Sequence, residues 1–308
     1  MVTGGTGFIG KALIRALFSE GWTPRLLLRE SAGLPSNPDP GIAKISSVTE
    51  FRAVDFFDPV ALVGACRGAT AVIHLVGIIA ELGQNTFERA HVDLTRRMLR
   101  ATHDAGIRRY IQMSALGTRD RARSRYHQTK WAAEQLVRGS GLDWTIFRPS
   151  LVYDAHGGFT AVFDELSRFS PVLPALGGGH GLMQPIGLEQ VALAFARALR
   201  APSSVGQTYD LCGPERMEFR VILKAILTAL GRRRWILPIP FPLARVQARI
   251  LEFVWPRLLR RAPPLHRDQI LMLEEDNIGD GSKADALFGL VHPPFREALI
   301  RQRQSGSV

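Results

Sequence analysis

Tyr126 and Lys130 stand four residues apart in a chain of 308 residues that holds only four tyrosines and five lysines. Four residues make about one helical turn, so on a helix both side chains leave the same face. An ammonium beside a phenol favours the phenolate and is expected to draw its pKa below the usual value of about 10. A phenol tuned in this way passes a proton to or from a carbonyl or hydroxyl oxygen, which is the acid–base half of a hydride transfer.

The elements needed to hold that pair are legible on both sides of it. RRYIQMSALG (108–117) and WTIFRPSLVYD (144–154) read as strands. TKWAAEQLVRGSG lies between them as a helix ended by Gly139 or Gly141. At the start of the chain, Gly4, Gly7 and Gly10 separate a short apolar run from FIGKALIRALFSEG, in which Ile9, Leu13, Ala16 and Leu17 recur at helical intervals. This is a strand, a tight turn and a helix. A β-carbon in the turn would keep backbone N–H groups from a diphosphate at the helix start, and the third glycine lets helix and strand pack closely. Gly4, Thr6, Gly7, Phe8, Ile9 and Gly10 therefore form the candidate cradle. Only Met1 to Thr3 precede the turn, so the first strand is expected to be short or to begin upstream.

About 20 residues beyond the turn, the buried-strand pattern TPRLLLRE (23–30) ends on the residue that selects the cofactor. An acid there bonds a ribose hydroxyl, whereas Arg29, with Arg25 near it, neutralises a 2′-phosphate. NADP(H) is the expected cofactor, with Glu30 on the ribose of NAD(H) as the competing reading. A second βαβ unit follows in residues 51–77, its helix opened by Asp58 as N-cap and Pro59. It sets Asp55 and Phe56 beside an adenine, unless Asp55 is a plain loop acid, and Val76 and Gly77 beside a ribose.

Composition excludes several classes. Hydrophobic residues make up 46% of the chain and charged residues 22%, so a packed globular protein is expected rather than a disordered one. Two distant cysteines, Cys66 and Cys212, offer neither a disulfide framework nor a zinc site, and no metal spacing appears elsewhere. No apolar run is long enough to cross a bilayer and no secretory signal opens the sequence, which gives a cytoplasmic expectation. The net charge of +11 is concentrated: residues 232–267 hold nine arginines and one acid, Glu252. Val246, Ile250, Phe253 and Val254 fall on one side of this amphipathic stretch, with Arg245, Arg249 and Arg257 placed to reach phosphates. It suits peripheral attachment to an anionic inner-membrane surface or a respiratory complex, or else a plain surface helix. Nothing here resembles a nucleic-acid-binding motif.

Taken together, TGGTGFIG, HLVG, the strand with Ser114, Tyr126-x-x-x-Lys130 and FRPSLVY resemble an extended or atypical short-chain dehydrogenase/reductase, of the NAD-dependent epimerase/dehydratase kind, end to end. HVDLTRRMLRATHDAGIRRYIQMSALG (91–117), QPIGLEQVA (184–192), YDLCGPE (209–215) and LMLEEDNI (271–278) are similar to a narrower branch, which contains the NADPH-binding accessory subunit of respiratory complex I and its bacterial relatives. The resemblance implies a dinucleotide across the sheet, Lys130 on the nicotinamide ribose, Tyr126 as proton donor and Pro149 near the nicotinamide. Two departures stand out. Active relatives place a serine where this chain has Ala115, with Ser114 one residue earlier, and His91 replaces an asparagine of their proton relay. His91 reads as a packed or hydrogen-bonded histidine.

The expected fold is α/β: a Rossmann-type doubly wound parallel sheet from 1–155 and 185–212, with a smaller interleaved cap from 156–184 and 213–308. The expected function is an oxidoreductase for a hydrophobic carbonyl or hydroxyl compound such as a quinone, with Tyr126, Lys130 and Ser114 as catalytic residues. Because Lys130 can hold ribose hydroxyls without any reaction, a nucleotide-holding accessory or assembly protein stands beside it. A sugar-nucleotide epimerase or dehydratase is the third reading.

Overall fold

The computed structural model describes residues 1–30, 50–259 and 265–305. Six strands enter the central sheet in chain order: β1 (Val2–Thr3), β2 (Arg25–Arg29), β3 (Glu50–Val54), β4 (Ala71–His74), β5 (Arg109–Met113) and β6 (Asp143–Pro149). A seventh, Gln207–Leu211, joins β6 at one edge. The order is β3-β2-β1-β4-β5-β6 and then Gln207–Leu211, every pair parallel. The connection reverses direction between β1 and β4. Ligands of open α/β sheets bind at that switch, beyond the carboxyl ends of the strands.

Alternation along the strands builds two apolar layers. Val2, Ile73, Ile111 and Phe147 face helix α1 (Phe8–Ser19) and the helix Leu188–Ala198. Leu27, Val72, Tyr110 and Ile146 face the opposite way, towards the helices Pro59–Cys66 and Leu94–Asp104. β1 spans two residues, and the Met1 carbonyl adds a bond to Ile73 N–H at 2.8 Å.

The cap has its own core, in which Tyr153, Met183, Phe219, Ile226, Phe295 and Leu299 pack together. One boundary differs from the expected division at 213. Ala284, Phe288 and Leu290 belong to the first sheet layer, because the helix Ser282–Phe288 returns to cover Leu188–Ala198 and the strand Gln207–Leu211. The helix Phe241–Leu259 buries Ala244 and Ala248 against Ile270. Its apolar Leu243, Val246, Ile250 and Phe253 face outward.

Candidate active site

Where β1 ends, Gly4 takes a φ of +76° and its carbonyl accepts the Gly7 N–H at 3.1 Å. A β-carbon on Gly4 would lie 3.2 Å from the Leu75 backbone, and one on Gly10 only 2.3 Å from the Gly4 carbonyl oxygen. The turn is wedged between β4 and its own helix, so only bare backbone fits. Gly7 opens α1 with no side-chain cap, and no acid sits in the first turn. The opening amides and the positive end of the helix dipole are left for an anion. Thr6 is exposed there, Ile9 leans on the core, and the Phe8 ring lies against Gly157 and Gly158, where β-carbons would come within 2.5 and 2.6 Å of it.

Arg29 closes β2 with an exposed side chain that has no hydrogen bond or ion pair among the described residues. Arg25 does not assist it, contrary to expectation. It begins the same five-residue strand, roughly 13 Å away at about 3.3 Å per residue, and binds Glu50 and the carbonyls of Ala65 and Arg67. Glu30 and Asp55 are exposed, and Asp55 Oδ1 accepts the Phe57 N–H at 2.8 Å. The Phe56 ring is buried with Leu27, Val54 and Leu62, which leaves its backbone to meet an adenine.

Lys130 and Tyr126 share the helix Arg125–Arg138. Lys130 is buried, and Nζ donates to the Met113 carbonyl at 3.3 Å. A β-carbon on Gly77 would lie 2.9 Å from that Nζ, so the glycine after Val76 is what gives the ammonium room at the ends of β4 and β5. Burial lowers Lys130 to about 8, with Glu134 pulling the other way. Tyr126 is half-buried, edge-on to Phe87 at 5.9 Å and to His91 at 5.3 Å. Its hydroxyl has no hydrogen-bond partner among the described residues. Burial pushes the phenol up to about 12, opposite to the direction expected from Lys130. The ammonium stands 5.9 Å from the ring centroid, and desolvation of the phenol decides the direction.

His91 lies in a π-helical turn, Glu88–Asp93, that runs into Leu94–Asp104. Thr129 Oγ1 gives its proton to the Arg125 or Tyr126 carbonyl, both at 3.0 Å, and therefore accepts from His91 Nδ1–H at 2.9 Å. Nε2 is then the acceptor for Ile78 N–H at 3.2 Å, and its 3.1 Å approach to the Ile78 carbonyl is a contact, not a bond. Burial, then Lys130, push this histidine down to about 2. It is neutral and satisfied. Ser114 is buried with Oγ turned to Thr118 Oγ1 at 3.4 Å, while half-buried Ala115 offers no polar side chain. Pro149 ends β6 and its carbonyl accepts the Leu116 N–H at 2.9 Å.

A bare-backbone turn, uncapped amides, the space at Gly77 and a buried ammonium with a single carbonyl bond all fit a pyridine dinucleotide. A model of the family described as NAD(P)H-binding matches residues 4–170. The chain belongs to the NAD(P)H-binding family. It is 29% identical over 279 residues to NADH dehydrogenase [ubiquinone] 1 alpha subcomplex subunit 9, mitochondrial, of Arabidopsis thaliana, covering 90% of this chain and 68% of that protein. It is 35% identical over 175 residues to the ceramide reductase of Caulobacter vibrioides, covering 57% of this chain but only 53% of the relative. An NADPH-dependent quinone oxidoreductase of Escherichia coli, solved with NADPH, has the same fold, with a TM-score of 0.72 at 17% identity over 97% of this chain and 98% of that one.

Several residues around this candidate site escape sequence reasoning. Phe87 stacks on His91 at 5.6 Å, and Asp268 bonds the start of the Tyr126 helix from far along the chain. Buried His74 bonds Thr3 Oγ1 at 2.6 Å and is pushed down to about 3 by burial and then by Lys130. Of these, only His74 carried a local signal, a polar residue closing a buried strand. Gly157 and Gly158 stand in the sequence as a bare glycine doublet, with nothing beside them to show the aromatic partner. Among the described residues no group of His, Cys, Asp and Glu could hold a metal.

Proposed function

We propose that the protein is an NADP(H)-dependent reductase of a ketone, aldehyde or quinone carried on a long apolar molecule, working at an anionic membrane surface. The observation that carries this reading is the Tyr126 phenol and Lys130 ammonium, one turn apart on one helix beside bare Gly77. A reduced nicotinamide supplies a hydride when bound there. The remaining tasks fall to the chain. The Gly4–Gly10 turn holds the diphosphate, and Arg29, exposed and without a partner among the described residues, favours a 2′-phosphate, hence NADP(H) over NAD(H). Lys130, charged below about pH 8, donates to ribose hydroxyls. With its pKa near 12, Tyr126 keeps its proton at neutral pH and yields it to an oxygen becoming an alkoxide, which favours reduction over oxidation. The apolar substrate class is supported by likeness to a protein named for ceramide.

A second reading, a nucleotide-holding accessory protein, is favoured by one arrangement: Ser114 is turned to Thr118 and Ala115 is apolar, so Tyr126 alone is left to polarise a carbonyl. The two part in one assay. The reductase reading expects NADPH to bind more tightly than NADH and to be oxidised by long-chain ketones or quinones, with Tyr126→Phe losing at least 100-fold in kcat, about 2.7 kcal/mol. Bound NADPH that no carbonyl compound consumes would leave the accessory reading.

Support for the membrane surface comes from the helix Phe241–Leu259, where Val246, Ile250 and Phe253 are 54, 58 and 63% exposed, and from nearby Trp235 at 80%. Arg245 is paired with Glu274, whereas Arg249 is exposed. The side chains of Arg257, Arg260 and Arg261 lie outside the described residues. No described helix is long and apolar enough to cross a bilayer. Co-sedimentation with phosphatidylglycerol vesicles that weakens with salt is expected, and equal recovery on phosphatidylcholine would reject the anionic preference.

A further inference from the structure

The start of the helix that carries Tyr126 is held by a carboxylate 142 residues further along the chain. Asp268 Oδ2 accepts the Tyr126 N–H at 2.8 Å, and Oδ1 accepts the Arg125 N–H at 3.2 Å. Ser124 Oγ takes the His127 N–H at 3.2 Å, and the Ser124 carbonyl takes the Gln128 N–H at 3.1 Å. A helix start leaves its first amides without intrahelical partners. Here each of them is bonded, and the first two, including the one on Tyr126 itself, depend on one side chain from outside the nucleotide-binding segment. A carboxylate is also the group that the positive end of a helix favours.

Asp268 is in turn seated by the residues beside it. The neighbouring Arg267 bonds Glu252 twice, through its backbone N–H and its Nε, both at 2.7 Å. Glu252 belongs to the helix Phe241–Leu259, the one with the outward apolar stripe. Ile270, on the same short helix as Asp268, is buried against Ala244 and Ala248 of that element. On the other side His266 lies 6.5 Å from the Phe87 ring, which stands edge-on to Tyr126. Hydrogen bonds, an ion pair and packing thus run without a break from the exposed helix to the proposed proton donor.

We propose that Asp268 is a positioning residue for Tyr126, and that the Glu252–Arg267 pair makes the setting of Tyr126 follow the seat of the helix Phe241–Leu259. Its meaning rests on the reductase reading above; its measurement does not. Tyr126 lies in the first turn, which the carboxylate holds, whereas Lys130 lies one turn further in, where intrahelical bonds suffice. Losing Asp268 therefore separates the two members of the pair: nucleotide binding through Lys130 persists while the proton donor loses its placement.

Amide hydrogen exchange on the full chain reads the placement directly. Asp268→Ala is expected to speed exchange at Arg125 and Tyr126 at least tenfold, and Asp268→Asn, which keeps one acceptor oxygen, by less. Amides from Ala132 to Val137 and the affinity for NADPH should stay within twofold in both variants. With 9,10-phenanthrenequinone as oxidant, kcat should fall at least tenfold while the KM for NADPH holds. Glu252→Gln, which touches neither amide, should speed the same two several-fold. Unchanged protection in Asp268→Ala, or a parallel loss of NADPH affinity, would reduce Asp268 to a scaffold contact. Unchanged amides in Glu252→Gln would cut the link to the surface helix. A wild-type protein that binds NADPH and reduces nothing would sink the reductase reading, and the exchange experiment would still decide this one.

Discussion

Lys130 and Glu134 lie one turn apart on the same helix and both are buried, yet their surroundings are opposite. Glu134 is gripped by Arg148 through Nε at 2.8 Å and Nη2 at 2.6 Å, with Arg138 at 3.3 Å. Lys130 has one carbonyl at 3.3 Å, and its Nζ sits where a β-carbon on Gly77 would otherwise come within 2.9 Å. A buried charge is tolerable when it is paired and hydrogen-bonded, and otherwise it titrates away. The first arrangement is finished within the fold. The second has a single carbonyl partner among the described residues, and burial lowers the lysine to about 8.

The contrast fails most visibly if the two side chains respond alike to removal. Glu134→Gln, which strands half-buried Arg148, is expected to destabilise the protein by about 3 kcal/mol in chemical denaturation; a loss below about 1 kcal/mol would rank the pair with surface bridges. Lys130→Met should leave stability unchanged or raise it by up to about 1 kcal/mol, while NADPH affinity in calorimetry drops at least tenfold, about 1.4 kcal/mol. Instability equal to that of the Glu134 variant would erase the distinction. The smallest effect is a pH dependence. Burial depresses Lys130 from 10.5 to about 8 in the folded state, so charging it costs stability below pH 8, and that cost is relieved as pH climbs from 8 towards 10.5. Over this window the melting temperature of the nucleotide-free wild type should gain on that of Lys130→Met, as NADPH affinity weakens. Parallel melting curves would mean that the ammonium is solvated.

Sequence reasoning reached the parts of the site that lie within one or two turns of chain. The glycine turn, the Tyr126–Lys130 spacing and the strand ending in Arg29 each announce themselves through local period or steric need. Tertiary burial governs what it misread. Tyr126 was expected below the usual phenol range because only its neighbour in sequence was visible; the rings of Phe87 and His91, which desolvate it, arrive from another helix. Arg25 looked adjacent to Arg29 in sequence, but they stand at opposite ends of β2, about 13 Å apart along the strand. Ser114 is the first residue past β5, and nothing in its neighbours reveals that its hydroxyl turns to Thr118. Asp268 was beyond reach altogether, since an N-cap supplied from 142 residues away leaves no trace in the cap position itself, where Ser124 already looks sufficient.

The Phe8 ring seated on Gly157 and Gly158 has a consequence for descent. Two bare positions and one aromatic disc form a trio that cannot drift independently, because any methyl group at 157 or 158 would collide with the ring. Sequences diverging from this one are bound to trade the three together, so a homologue bearing a side chain at either glycine should carry something smaller than phenylalanine at position 8.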